Sequence, residues 1–225
     1  MRFLVPALIV FTLAILPFPT GRFLIDAPAP PRTVPQRVTV LGYERDAFGA
    51  GWGSLPDGCT SREALMAAAF SASCHIPYRS WDSAPITDPY SGAPLSPEDV
   101  EIDHVFPLSA AWDLGAHSWT DSARRTFAND PANLIVTSSK ENQAKSDQLP
   151  SEWLPSDWRA RCAYVRQVAT VAARYDLPLP RADLRTSRRQ CSGFGSLFAR
   201  DRLIAPVSSE DTRSTTRDAT SIKVG

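Results

Sequence analysis

Apolar and polar positions follow four different rhythms along the chain. From Phe3 to Phe18 the sequence is uncharged and apolar behind one basic residue, in "MRFLVPALIVFTLAILPFP". That composition, in residues 1–19, predicts a secretory signal or an uncleaved N-terminal membrane anchor. The run is somewhat short for a full span, which favours the signal. Residues 20–37, "TGRFLIDAPAPPRTVPQR", lose all periodicity and gain proline, predicting an extended linker. A third rhythm, mixed helical and strand periods, fills residues 38–195. The polar end, residues 196–225, closes with "SSEDTRSTTRDATSIKVG" and predicts a disordered tail.

Within residues 38–195 the patterns are specific. Thr60 followed by Glu63 is a capping box for a helix running through Phe70. "VEIDHVF" has strand character and Pro107 ends it. Thr120 caps a short helix in "TDSARRTFAND", and "NLIVT" reads as a second short strand. Ser138 or Ser139 can cap the helix carrying "KENQAKS". Ser156 or Asp157 is the expected cap of the longest helix. Trp158, Cys162, Val165, Val168, Ala172 and Tyr175 recur there on one face, a core-facing stripe. The elements predict one α+β domain, mainly helical, with a strand–strand–helix unit at about residues 100–147.

Composition narrows the function. Twenty-four Lys and Arg balance twenty-four Asp and Glu in 225 residues, so no net field steers the chain toward a polyanion or a membrane. Between Glu101 and Cys191, twelve basic residues face eleven acidic ones. Phosphate contacts dominate non-specific nucleic-acid affinity, so binding should be weak and salt-sensitive unless basic groups converge in space.

Four cysteines suit an oxidising compartment. Cys59 and Cys74 bracket the first helix, Cys162 lies in the long helix, and Cys191 closes the folded region. Pairing neighbours gives Cys59–Cys74 and Cys162–Cys191, one of three possible connectivities. The rival is a four-cysteine zinc site, and it lacks any C-x2-C spacing.

Candidate chemistry concentrates in two segments. All three asparagines and two of three lysines fall in "NDPANLIVTSSKENQAKSD" (129–147), and one of three histidines follows an aspartate in "EIDHVF". A neutral imidazole at His104 suits proton abstraction from water. The Asp103 carboxylate and the Asn142 amide oxygen suit a hard divalent cation that keeps most of its waters. Lys145, three residues after Asn142, shares its helical face and could hold a phosphate oxygen. Asn133 is placed to brace the loop, and Arg62 near a helix start is a candidate for phosphate, with a structural salt bridge the simpler expectation. Consecutive strand residues point to opposite faces, so Asp103 and His104 can address one phosphate only where the strand breaks. His75 and His117 match no pattern. Trp112, Trp119 and Trp153 could stack on bases, but core packing is the simpler expectation. Arg124 and Arg125 are too short a basic pair to make a patch. A zinc peptidase would need H-E-x-x-H, which is absent.

"EIDHVFPLSAAW…NDPANLIVTSSKENQAKSD" resembles the HNH nuclease motif in the variant whose third position is asparagine. "NLIVTSSKENQAKSDQLPSEW" is similar to the corresponding region of the HNH domain of RNA-guided CRISPR nucleases. The chain also resembles a family of secreted bacterial HNH-type proteins. The shared elements are "Y-x-R-x-x-F-G-x-x-W" (Tyr43 to Trp52), "C-T-x-R" (Cys59 to Arg62) and "D-H-V" (Asp103 to Val105). They continue with "F-A-N-D-P-x-N-L" (Phe127 to Leu134), "W-L-P" (Trp153 to Pro155) and "R-C-A-Y-V" (Arg161 to Val165). The resemblance covers about residues 42–191, and Ser146 stands where such chains often have glycine.

The resemblance implies a ββα-metal core and metal-dependent cleavage of nucleic acid; DNA is the expected substrate rather than RNA, and a monomer the expected state. Carried onto this chain it implies His104 as general base, with Asp103 and Asn142 holding one divalent ion; their oxygen donors point to Mg²⁺ or Mn²⁺ rather than Zn²⁺. Asn133 would brace the loop and Lys145 assist the phosphate. The alternative is a non-catalytic cell-surface module binding nucleic acid on the same scaffold. Either way the protein is expected outside the cytoplasm, free or anchored.

Overall fold

Six helices and three small two-stranded sheets are present in the computed structural model, which describes residues 32–192 together with Ala199, Arg200 and Leu203. The expected leader, most of the linker and most of the tail lie outside the described residues. No helix among the described residues is long and apolar enough to cross a membrane.

Helix α1 (Ser61–Phe70) starts where the sequence says it should. Thr60 accepts from the Glu63 backbone, and the Glu63 carboxylate accepts from the Thr60 backbone. Each satisfies an otherwise orphaned donor. The disulfide Cys59–Cys74 ties the two ends of α1 across a sequence separation of 15. Met66 and Phe70 on its buried face pack against Leu95, Val100, Ile102, Leu134 and Val136.

Those last four residues belong to the central hairpin. Strand β4 (Val100–His104) pairs antiparallel with β5 (Leu134–Ser138), with Asp103 opposite Ile135 and His104 opposite Leu134. Strands β1 (Thr33–Val34), β2 (Ile86–Thr87) and β3 (Pro94–Leu95) precede it. One face of the hairpin lies on α1. On the other face Ile135 joins a larger cluster with Tyr90, Phe106, Phe127, Tyr164 and Val168. Burial on both faces explains why β5, "LIVTS", opens as a continuous apolar run, whereas β4, "VEIDH", alternates apolar Val100 and Ile102 with Glu101 and Asp103.

Helix α2 (Leu108–Asp113), which the sequence did not predict, follows Pro107; α3 (Asp121–Asn129) is capped by Thr120 as expected. Helix α4 (Ser139–Lys145) follows β5 directly, its start capped by the Ser138 hydroxyl accepting from Glu141. The order around the site is therefore strand, strand, helix.

The long helix α5 (Arg161–Arg174) begins several residues later than its sequence suggests. Asp157 is spent elsewhere: one carboxylate oxygen accepts from the Arg159 backbone and the other from Arg200. It therefore closes a turn instead of capping a helix. Trp158, expected in the core stripe, is 49% exposed, whereas Cys162, Val165, Val168 and Ala172 are buried.

After α5, β6 (Leu179–Pro180) pairs parallel with β1, and the unpredicted helix α6 (Arg181–Gln190) ends at Cys191, which is bonded to Cys162. Two expectations change here. The described end of the Pro-rich linker is part of the body, because β1 pairs with β6 and Arg37 bridges Asp113 and Asp147. The expected disordered tail also contributes: Leu203 is buried in the larger cluster, and the Arg200 backbone donates to the Arg159 carbonyl.

Candidate active site

Two parallel rungs join β4 to α4. Glu101 and Asp103 lie two residues apart on the strand, hence on one face; Asn142 and Lys145 lie three apart on the helix, hence on one face. Asn142 Nδ2 donates to Glu101 Oε2 at 2.7 Å, and Lys145 Nζ donates to Asp103 Oδ1 at 2.9 Å.

The inner rung is buried. Lys145 is 0% exposed and Asp103 3%. Lys145 also donates to the His104 carbonyl at 2.8 Å, and Tyr90 Oη donates to Asp103 Oδ2 at 2.7 Å. Burial pushes the Asp103 carboxyl above the usual carboxylate range, and Lys145 and Tyr90 pull in the opposite direction. Tyr90 is itself placed by Asp88, whose buried carboxylate accepts from the Tyr90 and Ser138 backbones and from the Thr137 hydroxyl. Burial would raise the Asp88 pKa; these donors outweigh it and hold it below the ordinary value.

His104 leaves the strand on the other side. Its imidazole stacks on the Trp52 ring, with centroids 5.4 Å apart and planes 2° from parallel. Its Nε2 lies 2.8 Å from the Ala128 carbonyl at the end of α3. A carbonyl only accepts, so the proton is assigned to Nε2 and the Nδ1 lone pair is left over. Burial lowers the His104 pKa from 6.5 to about 4, with smaller contributions from Arg45 and Lys145. The ring is therefore neutral at pH 7. The assignment gives a neutral ring whose Nδ1 has no hydrogen-bond partner among the described residues.

Asn133 is fully buried and clamps the chain beyond His104. Its Oδ1 accepts from the Phe106 backbone at 2.7 Å and its Nδ2 donates to the Phe106 carbonyl at 3.2 Å. The Val105 backbone donates to the Asn133 carbonyl. The end of β4 is thus fixed to the start of β5.

Five candidate residues, Asp103, His104, Asn133, Asn142 and Lys145, lie on this one strand–strand–helix unit. Lys145 differs from its expectation: a fully buried ammonium already bonded to Asp103 and a carbonyl is a counter-charge, not a phosphate ligand. Arg62 also differs, because its guanidinium lies over the Tyr78 ring, 5.3 Å from the centroid. His75 sits against the Cys59 sulfur and His117 on the Trp112 carbonyl. Trp112, Trp119 and Trp153 pack against the larger cluster.

Sequence reasoning misses three positioning residues. Glu101 is legible, being two residues before Asp103 on a strand. Trp52 ends the Tyr43–Trp52 element without any local sign of its partner. Tyr90 gives no signal, because a loop delivers it.

Asp103 and Asn142 carry the oxygens that could hold a hard divalent cation. Asp103 retains acceptor capacity on both oxygens. The Asn142 amide is anchored through nitrogen, and its oxygen has no hydrogen bond among the described residues. Among those residues one His/Cys/Asp/Glu cluster has metal-like spacing, Cys59, Cys74 and His75, and its thiols are joined in a disulfide. A cleft of about 620 Å³ beside the start of α4 is lined by Asp88, Asp99 and Glu141 together with Lys140, Ser138 and Ser139.

Residues 70–177 match the family described as GmrSD restriction endonucleases, C-terminal domain. A protein of Arthroderma benhamiae described as an uncharacterized secreted protein is 40% identical over 150 residues, which is 63% of this chain and 71% of that one. No solved structure matches the chain.

Proposed function

Because the chain belongs to one family with the secreted Arthroderma benhamiae protein and matches the GmrSD C-terminal domain over residues 70–177, we propose that it is an exported, metal-dependent endonuclease of HNH type. The strand–strand–helix unit of β4, β5 and α4 is its ββα-metal core. The observation that carries the reading is the pairing of His104 Nε2 with the Ala128 carbonyl, which leaves Nδ1 as the basic atom.

In this reading Asp103 and Asn142 hold the divalent cation, Mg²⁺ or Mn²⁺ by the hardness of their oxygens. When bound, it neutralises charge developing on the phosphate and leaving oxygens. His104 takes the proton of the attacking water at Nδ1, and Trp52 and the Ala128 carbonyl keep its ring in plane. Lys145 and Tyr90 hold Asp103 in position. Asn133 keeps the strand end from spreading. Asp103 and His104 leave β4 on opposite sides, so the scissile phosphodiester lies across the strand end to meet both. DNA is the proposed substrate, cut with little sequence preference. The two disulfides and the secreted relative support export.

Plasmid DNA incubated with the purified protein should be nicked in Mg²⁺ or Mn²⁺ and not in EDTA. His104→Ala should lower the rate by at least about 100-fold, the usual minimum for a general base. Equal nicking by variant and wild type overturns the proposal. DNA binding without turnover in any metal would make the domain a binding module instead.

A further inference from the structure

The chain carries no net charge, yet its arginines are not spread evenly. Helix α6 reads "RADLRTSRRQ" and holds Arg181, Arg185, Arg188 and Arg189. These positions are i, i+4, i+7 and i+8, which at 3.6 residues per turn place all four within an arc of about 100°. All four are exposed. The one acid of the helix, Asp183, lies on the opposite side, is buried, and accepts from the Ser151 backbone. None of the four arginines forms an ion pair among the described residues.

Stability does not account for this stripe. Arg188 and Arg189 sit in the last turn, where the helix dipole favours cations. Arg181 opens the helix, where the same dipole opposes it. Arg181 and Arg185, and Arg185 with Arg188 and Arg189, are like charges at helical-neighbour spacing and repel one another. A solvated face would be served as well by mixed charges. The stripe is also rigidly presented, because β6 pairing with β1 fixes one end of α6 and the Cys162–Cys191 disulfide fixes the other.

We infer that the exposed arginine face of α6 is a docking surface for the phosphate backbone of the nucleic acid, separate from the β4–α4 site. The inference rests on the nuclease reading for the identity of the polyanion. The stripe spans about 12 Å at 1.5 Å per residue. Duplex DNA presents one charge per about 1.7 Å of axis over that length, so the four guanidiniums can meet several phosphates at once. This is local convergence of basic groups in a chain whose net charge supplies none. It holds substrate without base contacts, as a nuclease of low specificity requires.

The test uses the full chain with its disulfides intact. Binding of a fluorescent 30-base-pair duplex is measured in EDTA across a salt series, and hydrolysis of bis(4-nitrophenyl) phosphate is measured in Mg²⁺. Replacing all four arginines by glutamine should flatten the log Kd against log salt slope by about 2 to 4, at roughly 0.9 for each phosphate no longer neutralised. Hydrolysis of the small diester should not change. The four-fold Arg→Lys variant should keep the wild-type slope. Should the glutamine set unfold, Arg181→Gln and Arg189→Gln singly should each remove about one unit of slope. Identical slopes for wild type and the glutamine variants overturn the inference. So does an unchanged DNA slope with lost binding to phosphatidylserine vesicles, which would assign the face to a membrane. Absence of diester hydrolysis in the wild type counts against the nuclease reading alone, since the slopes are read without metal.

Discussion

Lys145 Nζ lies 2.9 Å from Asp103 Oδ1 with side chains 0% and 4% exposed, an ion pair buried between β4 and α4. Such a pair is costly to assemble and more costly to break, because either partner alone is a buried charge. Lys145→Ala should lose about 3–5 kcal/mol of unfolding free energy in urea, and Asp103→Asn a comparable amount. The double variant should lose clearly less than the sum. Strict additivity would show that the two groups do not compensate each other.

Acid should unfold the protein partly through His104. Its pKa is lowered from 6.5 to about 4 by burial, so the unfolded chain binds a proton that the folded one refuses. Above pH 6.5 both states are neutral and the stability is fully present; it falls as the pH drops to about 4 and then levels off. At 1.36 kcal/mol per unit, the loss is on the order of 3 kcal/mol. Unfolding free energies of wild type and His104→Asn in EDTA, compared between pH 7 and 4, isolate this contribution. Parallel curves would sink the assignment.

Much of the site can be read from the chain because its residues interact through regular geometry. Thr60 and Glu63 cap α1 locally, and the spacing of Asn142 and Lys145 needs only a helix. The same geometry puts Lys145 on the correct face but says nothing about burial, so spacing alone suggests a phosphate ligand where the ammonium in fact answers Asp103. Tyr90 reaches Asp103 from a loop held by Asp88 against β5, a contact set by tertiary structure. Asp157 resembles a helix cap because a cap and a turn use the same side-chain hydrogen bond. Its other oxygen accepts from Arg200, a partner far along the chain that local sequence does not show.

Trp52 should matter for rate more than for folding. Its ring lies parallel to the His104 imidazole at 5.4 Å and, with the Ala128 carbonyl, fixes where Nδ1 points. Trp52→Ala should lower DNA cleavage by about 10- to 100-fold, the scale expected when a reacting group is misplaced by about an ångström. Trp52→Phe keeps a ring against the imidazole and should recover most of the activity. If alanine and phenylalanine lose equally, the stacking has no positioning role.

Glu101 should act on the metal through Asn142. It accepts from Asn142 Nδ2 at 2.7 Å, which engages the amide through its nitrogen and leaves the oxygen without a hydrogen bond among the described residues. Outer partners of a ligand typically account for about 10- to 100-fold in metal affinity or activity. Glu101→Ala should therefore raise the Mg²⁺ concentration for half-maximal cleavage by about 10-fold or more. Glu101→Gln still offers an amide oxygen to Asn142 and should shift the midpoint less. Duplex binding in EDTA should be the same for all three proteins, because Glu101 faces α4 and not the arginines of α6. A Mg²⁺ midpoint that Glu101→Ala leaves in place would mean that Asn142 needs no partner to orient it, or that it is not a ligand.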